Sequence, residues 1–218
     1  MIRRDYILRM IEEFMQSLSR LRALKQDQRW GEANEELDEE FKKLVGDGAE
    51  AARLSESDLL TRLMQDGPTH LVPEKTLMLT TLLTQAGDVA AAENREAESR
   101  ECYLKALHLL LEIHVRDDFF ESPAFVPKVE MLHERLQGQC LPLRTLAALM
   151  QHYVRAGEFA KAEDELFTMF EAEPNNDAIK DFGIQFYQRL QAQSDEALAA
   201  GNLPRAEVED GLKNLQQR

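Results

Sequence analysis

The spacing of apolar residues constrains the fold of this chain more than any other feature of its sequence. Between residues 5 and 27 they recur at alternating steps of four and three, the periodicity of one face of an α-helix. No run of four to eight β-branched or aromatic residues shows the alternation with a period of two that is typical of a β-strand. With only 10 Gly and 7 Pro among 218 residues, the sequence predicts an all-α protein of about ten helices.

Glycine, proline and a capping serine mark the predicted helix ends. Ser55 is expected to cap a short helix, and the next helix is expected to open at Pro73 and stop at Gly87. A long helix is then predicted over residues 90–115. Residues 117–127, which contain two prolines, are the clearest irregular connection. Further helices are predicted over residues 127–137, 142–156, 159–172, 176–200 and 204–217.

The charge balance limits the classes of partner. The chain has 26 Lys and Arg against 40 Asp and Glu, a formal net charge of −14. A protein that binds nucleic acid through its phosphates needs a basic face, so DNA and RNA are not expected partners. No uninterrupted apolar run approaches the ~20 residues that span a bilayer, and the two cysteines, Cys102 and Cys140, belong to no metal or redox motif. We therefore expect a cytoplasmic protein.

The first helix differs in charge from the segment after it. Residues 1–25 carry six basic and three acidic side chains, whereas residues 26–50 carry three basic and nine acidic ones. The simplest interpretation is that the helix packs on its own chain, with its basic flank against the acidic second helix. Two alternatives remain, binding to a membrane surface and a structural homodimer. In the homodimer, the apolar seam pairs with the same residues of a second copy: Ile7, Ile11, Phe14, Leu18 and Leu21.

A segment of 34 residues, LRTLAALMQHYVRAGEFAKAEDELFTMFEAEPNN, begins at Leu143 and resembles a tetratricopeptide repeat. Gly157 falls at the turn between its two helices, Ala162 at the small contact between them, and Pro174 at the closing proline. Met150 departs from the pattern, because the family usually has a small residue there. Tyr153 falls at the aromatic position and Phe159 at the staple. The remaining matches are the core positions of the two helices: Leu146, Leu149, Leu166 and Met169.

Weaker copies of this repeat predict the domain organisation. Gly201 with Leu203 and Ala206 repeats the spacing of the turn, and Trp30 with Ala33 repeats it without the glycine. The resemblance implies one domain over residues 1–218, in which antiparallel hairpins stack as a right-handed superhelix. Within it we distinguish a basic plus an acidic helix (1–48), the best repeat (143–176) and a capping hairpin (177–218).

The layout as a whole, which begins with the helix RRDYILRMIEEF, is also similar to an uncharacterised bacterial family of small helical proteins. This second resemblance implies no function.

Catalytic and cofactor motifs are missing from the sequence. It contains no glycine-rich phosphate loop and no nucleophile elbow. His108 and Glu112 share one helical face, but no third metal ligand can be named. We therefore expect a protein that is not an enzyme and that carries no metal or cofactor.

A binding surface is the more promising site. In tetratricopeptide proteins the first helices of successive hairpins line a concave groove, and the resemblance places such a groove on this chain. Arginines and amides suit a peptide or an acidic tail, because guanidinium pairs with carboxylate. The sequence thus predicts a non-catalytic adaptor for a protein or peptide partner. The expected groove residues are Arg144, Gln151, Arg155, Gln185, Gln188 and Arg189, preceded by Thr81 and Thr84.

One further alternative stays open. The irregular connection near residues 117–127 could close a pocket, which would make the protein a small-ligand-binding protein or an enzyme.

Overall fold

The structure is a computed structural model that describes residues 2–46, 48, 51–65, 72–116 and 123–217. Within these ranges every regular element is helical, with eleven α-helices and one 3-10 turn. The all-α prediction is confirmed. The helices are α1 (Ile2–Gln26), α2 (Trp30–Val45), α3 (Glu56–Gln65), α4 (Val72–Ala92), α5 (Glu96–Arg116), α6 (Val129–Arg135), α7 (Leu143–Ala156), α8 (Phe159–Ala172), α9 (Asp177–Gln191), α10 (Asp195–Ala200) and α11 (Arg205–Gln217).

The chain divides into two compact units, residues 1–137 and 138–218. The first unit contains α1 to α6 and the second contains α7 to α11. Such a division does not decide whether the units fold as one domain. The single domain and the superhelix therefore stay predictions.

The first unit is built around the pair α4 and α5. α2 packs on α1 and α4, α3 packs on α4, and α6 packs on α5. Because neighbours cover it on several sides, α4 buries every residue from Lys75 to Thr84, and Leu79, Leu82 and Leu83 have no exposed surface.

The second unit pairs α7 with α8 and α9 with α11. Each of these helices buries one apolar stripe and exposes its other face, as amphipathic surface helices do. Ser194 caps α10, since its Oγ accepts a hydrogen bond from the Ala197 N–H at 3.1 Å. The predicted helix over 176–200 is therefore two helices, which meet at this cap.

One turn geometry joins four pairs of consecutive helices. A residue in each turn has a left-handed backbone, with φ between 55° and 75°. Its N–H bonds the carbonyl three residues back, and the next N–H bonds the carbonyl five residues back, at 2.8–3.2 Å. This is the Schellman motif, which ends a helix by satisfying its last carbonyls. The left-handed residues are Gln28, Asn94, Gly157 and Asn202.

Two glycines do not do what the sequence predicts. α4 continues through Gly87 and turns at Asn94, so the prediction that Gly87 stops the helix is wrong. A Cβ on Gly87 would lie 2.7 Å from Cε1 of Tyr103, so a close packing contact explains the glycine. Gly201 has an ordinary φ of −81°, because the left-handed residue is its neighbour Asn202.

Candidate functional site

A cleft of about 300 Å³ lies between α7 and α9 in the second unit. We call it the α7–α9 cleft. Its walls carry the side chains of Gln151 and Arg155 from α7 and Arg189 from α9. The structure thus brings three of the predicted groove residues into one concave site.

Apolar side chains from both helices form the floor of the α7–α9 cleft. Met150, Phe186 and Leu190 are buried, with at most 5% of their surface exposed. Phe182 and Val154 are half-buried and complete the lining. None of these five residues is among the predicted groove residues. The signal that could have found them is the apolar spacing of α7 and α9, which by itself is typical of a core face.

The charge of α7 is opposite to that of the whole chain. Its 14 residues include two arginines, Arg144 and Arg155, and no acidic side chain, although the chain carries −14. Arg189 lies in the last turn of α9 and adds a second cation to the lining. The cleft therefore combines an apolar floor with positive charge at its wall.

The other predicted groove residues lie elsewhere. Arg144, Gln185 and Gln188 are exposed but do not line the cleft. Thr81 and Thr84 belong to the first unit and are only 2% and 3% exposed. Their hydroxyls donate to the helix carbonyls of Leu77 and Thr80 at 2.9 and 2.8 Å. The prediction that these two threonines lie on the groove wall with the α7 and α9 residues is wrong, because neighbouring helices of the first unit cover α4 and Thr81 lines a cleft of that unit instead.

The apolar seam of α1 is partly used inside its own chain. Phe14 is 5% exposed and packs edge-on against Phe125, with ring centroids 5.5 Å apart. Leu21 has no exposed surface, while Ile7, Ile11 and Leu18 are half-buried. A homodimer that pairs all five residues with a second copy conflicts with the burial of Phe14 and Leu21.

The basic flank of α1 contacts other elements of the first unit. Arg20 pairs with Glu36 of α2 at 2.6 Å, and Ser17 donates to the buried carboxylate of Glu40 at 2.7 Å. Lys25 pairs with Asp88 of α4 at 2.7 Å. These contacts support the interpretation in which α1 packs against the acidic second helix.

Side chains with potential chemistry have structural partners in the first unit. His108 shares a hydrogen bond of 2.6 Å with Glu56 of α3. Burial raises the pKa of the Cys102 thiol to about 12, which keeps it protonated and unreactive. In the part of the chain that the structure describes, no group of three or more His, Cys, Asp or Glu side chains could hold a metal ion.

Two carboxylates on α8 have raised pKa values. Burial raises the pKa of Glu165 to about 7, and the neighbouring Asp164 adds a smaller electrostatic effect. Burial also raises the pKa of Glu163, although the Tyr187 hydroxyl, which donates to it at 2.6 Å, opposes this. Neither residue lines the α7–α9 cleft, so the two affect stability rather than the site.

Among the described residues, no helix is both long enough and apolar enough to cross a membrane.

Comparisons with known proteins match this chain to a family model and to no curated protein or solved structure. Neither the curated proteins nor the solved structures include a match to this chain, and no tetratricopeptide-repeat family model matches it. One family model covers residues 1–218. Over its whole length, the chain thus belongs to a family of unknown function, DUF6483.

Proposed function

We propose that this protein is a non-catalytic adaptor that binds a peptide or protein segment in the α7–α9 cleft. The observation that supports it is the convergence of Gln151, Arg155 and Arg189 above one apolar floor. Clefts that recognise a ligand combine a mostly apolar lining with a few polar groups that set its orientation.

The repeat resemblance adds to this proposal. α7 and α9 are the helices that the resemblance places on the concave side. Seven of the matched positions in residues 143–176 are at most 5% exposed: Leu146, Leu149, Tyr153, Phe159, Ala162, Leu166 and Met169. The turns α1–α2, α4–α5 and α10–α11 have the same geometry as the α7–α8 turn of this repeat. We propose on these grounds that the hairpins are tetratricopeptide-like. We also propose that the protein acts in the cytoplasm, because Cys102 and Cys140 belong to no metal or redox motif and a reduced chain is the simplest interpretation.

Photocrosslinking in the source cells tests the adaptor proposal. A photoreactive phenylalanine analogue replaces Gln151 in the cleft or, as a control, the exposed Lys213 of α11. We expect a discrete protein adduct from position 151 that is missing from position 213. Identical adducts at both positions, or none at position 151, would contradict the proposal.

Charge reversal then tests the role of the arginines. Arg155→Glu together with Arg189→Glu should reduce the adduct at position 151 at least about tenfold, since a hydrogen bond to a charged group contributes about 1.5–3 kcal/mol. Lys213→Glu reverses one charge outside the cleft and should leave the adduct unchanged. Circular dichroism confirms that each variant is folded. An undiminished adduct in the folded double variant would show that the two arginines do not contribute to binding.

A further inference from the structure

A separate cleft lies in the first unit, between α1, α4 and the segment at residues 123–125. We call it the α1–α4 cleft, and its volume is about 320 Å³. Its lining includes Met15, Leu18 and Arg22 from α1, Thr81 from α4, and the Phe125 ring. This volume is at the lower end of the range for small-molecule sites, so a ligand would be small.

Two cations line the α1–α4 cleft, and they differ in their surroundings. Lys25 Nζ donates to Gln85 Oε1 at 2.8 Å and to Asp88 Oδ2 at 2.7 Å, so an acidic partner already balances its charge. Arg22 is exposed, and in the described ranges its guanidinium forms no ion pair or hydrogen bond. A ligand anion in this cleft would therefore be paired by Arg22.

The apolar part of the lining lies beside this arginine. Met15 is one of the large hydrophobic residues that the structure leaves exposed, at 42%. Leu18 and Phe125 are half-buried, and the Phe125 ring is held by its edge-on contact with Phe14. A molecule that covers these three side chains would remove apolar surface from water, which is favourable at about 25 cal/mol per Å².

We propose that the α1–α4 cleft binds a small amphipathic organic anion, with its apolar body on Met15, Leu18 and Phe125 and its carboxylate on Arg22. This site lies in a different unit from the α7–α9 cleft and does not depend on the adaptor proposal. Guanidinium and carboxylate form paired, charge-assisted hydrogen bonds, which orient the anion at the mouth of the cleft.

Calorimetric titration of the full chain with 4-phenylbutyrate tests this site. For a ligand of this size we expect a Kd of about 1 mM or tighter. The neutral amide of the same acid should bind about tenfold more weakly, because it cannot pair with Arg22 as an anion. No saturable binding up to about 10 mM, or equal binding of the acid and the amide, would overturn the proposal.

Matched variants separate Arg22 from a general charge effect. Arg22→Gln should weaken 4-phenylbutyrate binding about tenfold, whereas Arg9→Gln removes the same charge from an exposed site of α1 outside the cleft and should leave it unchanged. Equal weakening by both variants would overturn the assignment of the anion to Arg22.

Methyl NMR locates the bound probe. Addition of 4-phenylbutyrate should shift the Met15 methyl signal and leave that of Met150, in the α7–α9 cleft, in place. Ser19→Trp, at another exposed position of the lining, should fill the cleft and abolish the Met15 shift. A shift of Met150 in place of Met15 would overturn the proposed location.

Discussion

The hairpin α4–α5 of the first unit and the hairpin α7–α8 of the second unit end their first helices with the same turn but bury different surfaces. α7 buries five of its 14 residues, all on one face. α4 buries 13 of its 21, among them four threonines and Lys75. Two hairpins with the same turn can thus differ in the fraction of residues that they bury, because that fraction depends on how many neighbouring helices pack against them.

The two hairpins also bury different polar groups. The threonines of α4 donate to carbonyls of their own helix at 2.6–2.9 Å, and these neutral bonds do not change with pH. α8 instead buries the titratable carboxylate of Glu165, which is 5% exposed. The second unit should therefore respond to pH through this buried carboxylate, whereas α4 buries no acidic side chain.

The largest effect is expected from Glu165. Its pKa is about 7 in the folded chain against an ordinary value of 4.5. Between these two pH values the folded chain therefore keeps a proton on Glu165 that the unfolded chain has released. The stabilisation is fully present below pH 4.5 and is lost as the pH rises through about 7, by up to about 3 kcal/mol. Glu165→Gln is neutral at every pH and should remove this slope.

Urea unfolding at about pH 5 and about pH 8 measures the difference between Glu165→Gln and the parent chain. Hydrogen exchange of peptides from α8 assigns that difference to the second unit. Glu171→Gln, at an exposed position of the same helix, is the control, and its free energy of unfolding should depend on pH as that of the parent chain does. A parallel pH profile for Glu165→Gln would contradict the predicted proton uptake.

The glycines of the two hairpins give the next prediction. Gly87→Ala should destabilise the first unit by about 2 kcal/mol, because its Cβ meets the buried Tyr103 ring at 2.7 Å. Alanine otherwise favours a helix by up to about 1 kcal/mol. Gly31→Ala in α2, where nothing lies within 4 Å, is the control and should be neutral or stabilising. Fluorescence of Trp30, the single tryptophan, follows unfolding of this unit in urea.

Replacement of Gly157 by alanine should destabilise the second unit for a different reason. The φ of Gly157 is +75°, and a Cβ at this position would meet no atom within 4 Å, so Gly157→Ala should cost about 1 kcal/mol of backbone strain without a clash. Asparagine tolerates this backbone conformation. Gly157→Asn should therefore recover most of the stability in urea unfolding, whereas Gly87→Asn should not. Equal recovery at both positions would contradict the distinction between strain and close packing.

The sequence predicted the parts of the site that follow helical spacing. Gln151, Arg155 and Arg189 lie on amphipathic helices, whose exposed face can be read from the pattern. Thr81 and Thr84 lie on α4, where several neighbours cover the helix and polar residues do not mark a solvent face. Neither Phe125, which packs on Phe14, nor Tyr103 over Gly87 could be predicted, because both contacts join residues distant in sequence.

The smallest effect is expected at the shared turns, where the residue types differ although the geometry does not. Gln28 adopts a φ of 57°, and a left-handed backbone costs a residue with a Cβ about 1–2 kcal/mol. Glycine lowers this strain but loses more chain entropy on folding. Gln28→Gly should therefore raise the free energy of unfolding by less than about 1 kcal/mol. Asn94→Gly should change it less, because asparagine already tolerates this conformation. Urea midpoints followed by Trp30 fluorescence compare the two variants. A lower midpoint for Gln28→Gly would contradict this prediction, because it would mean that the Gln28 side chain stabilises the turn by more than the left-handed backbone costs.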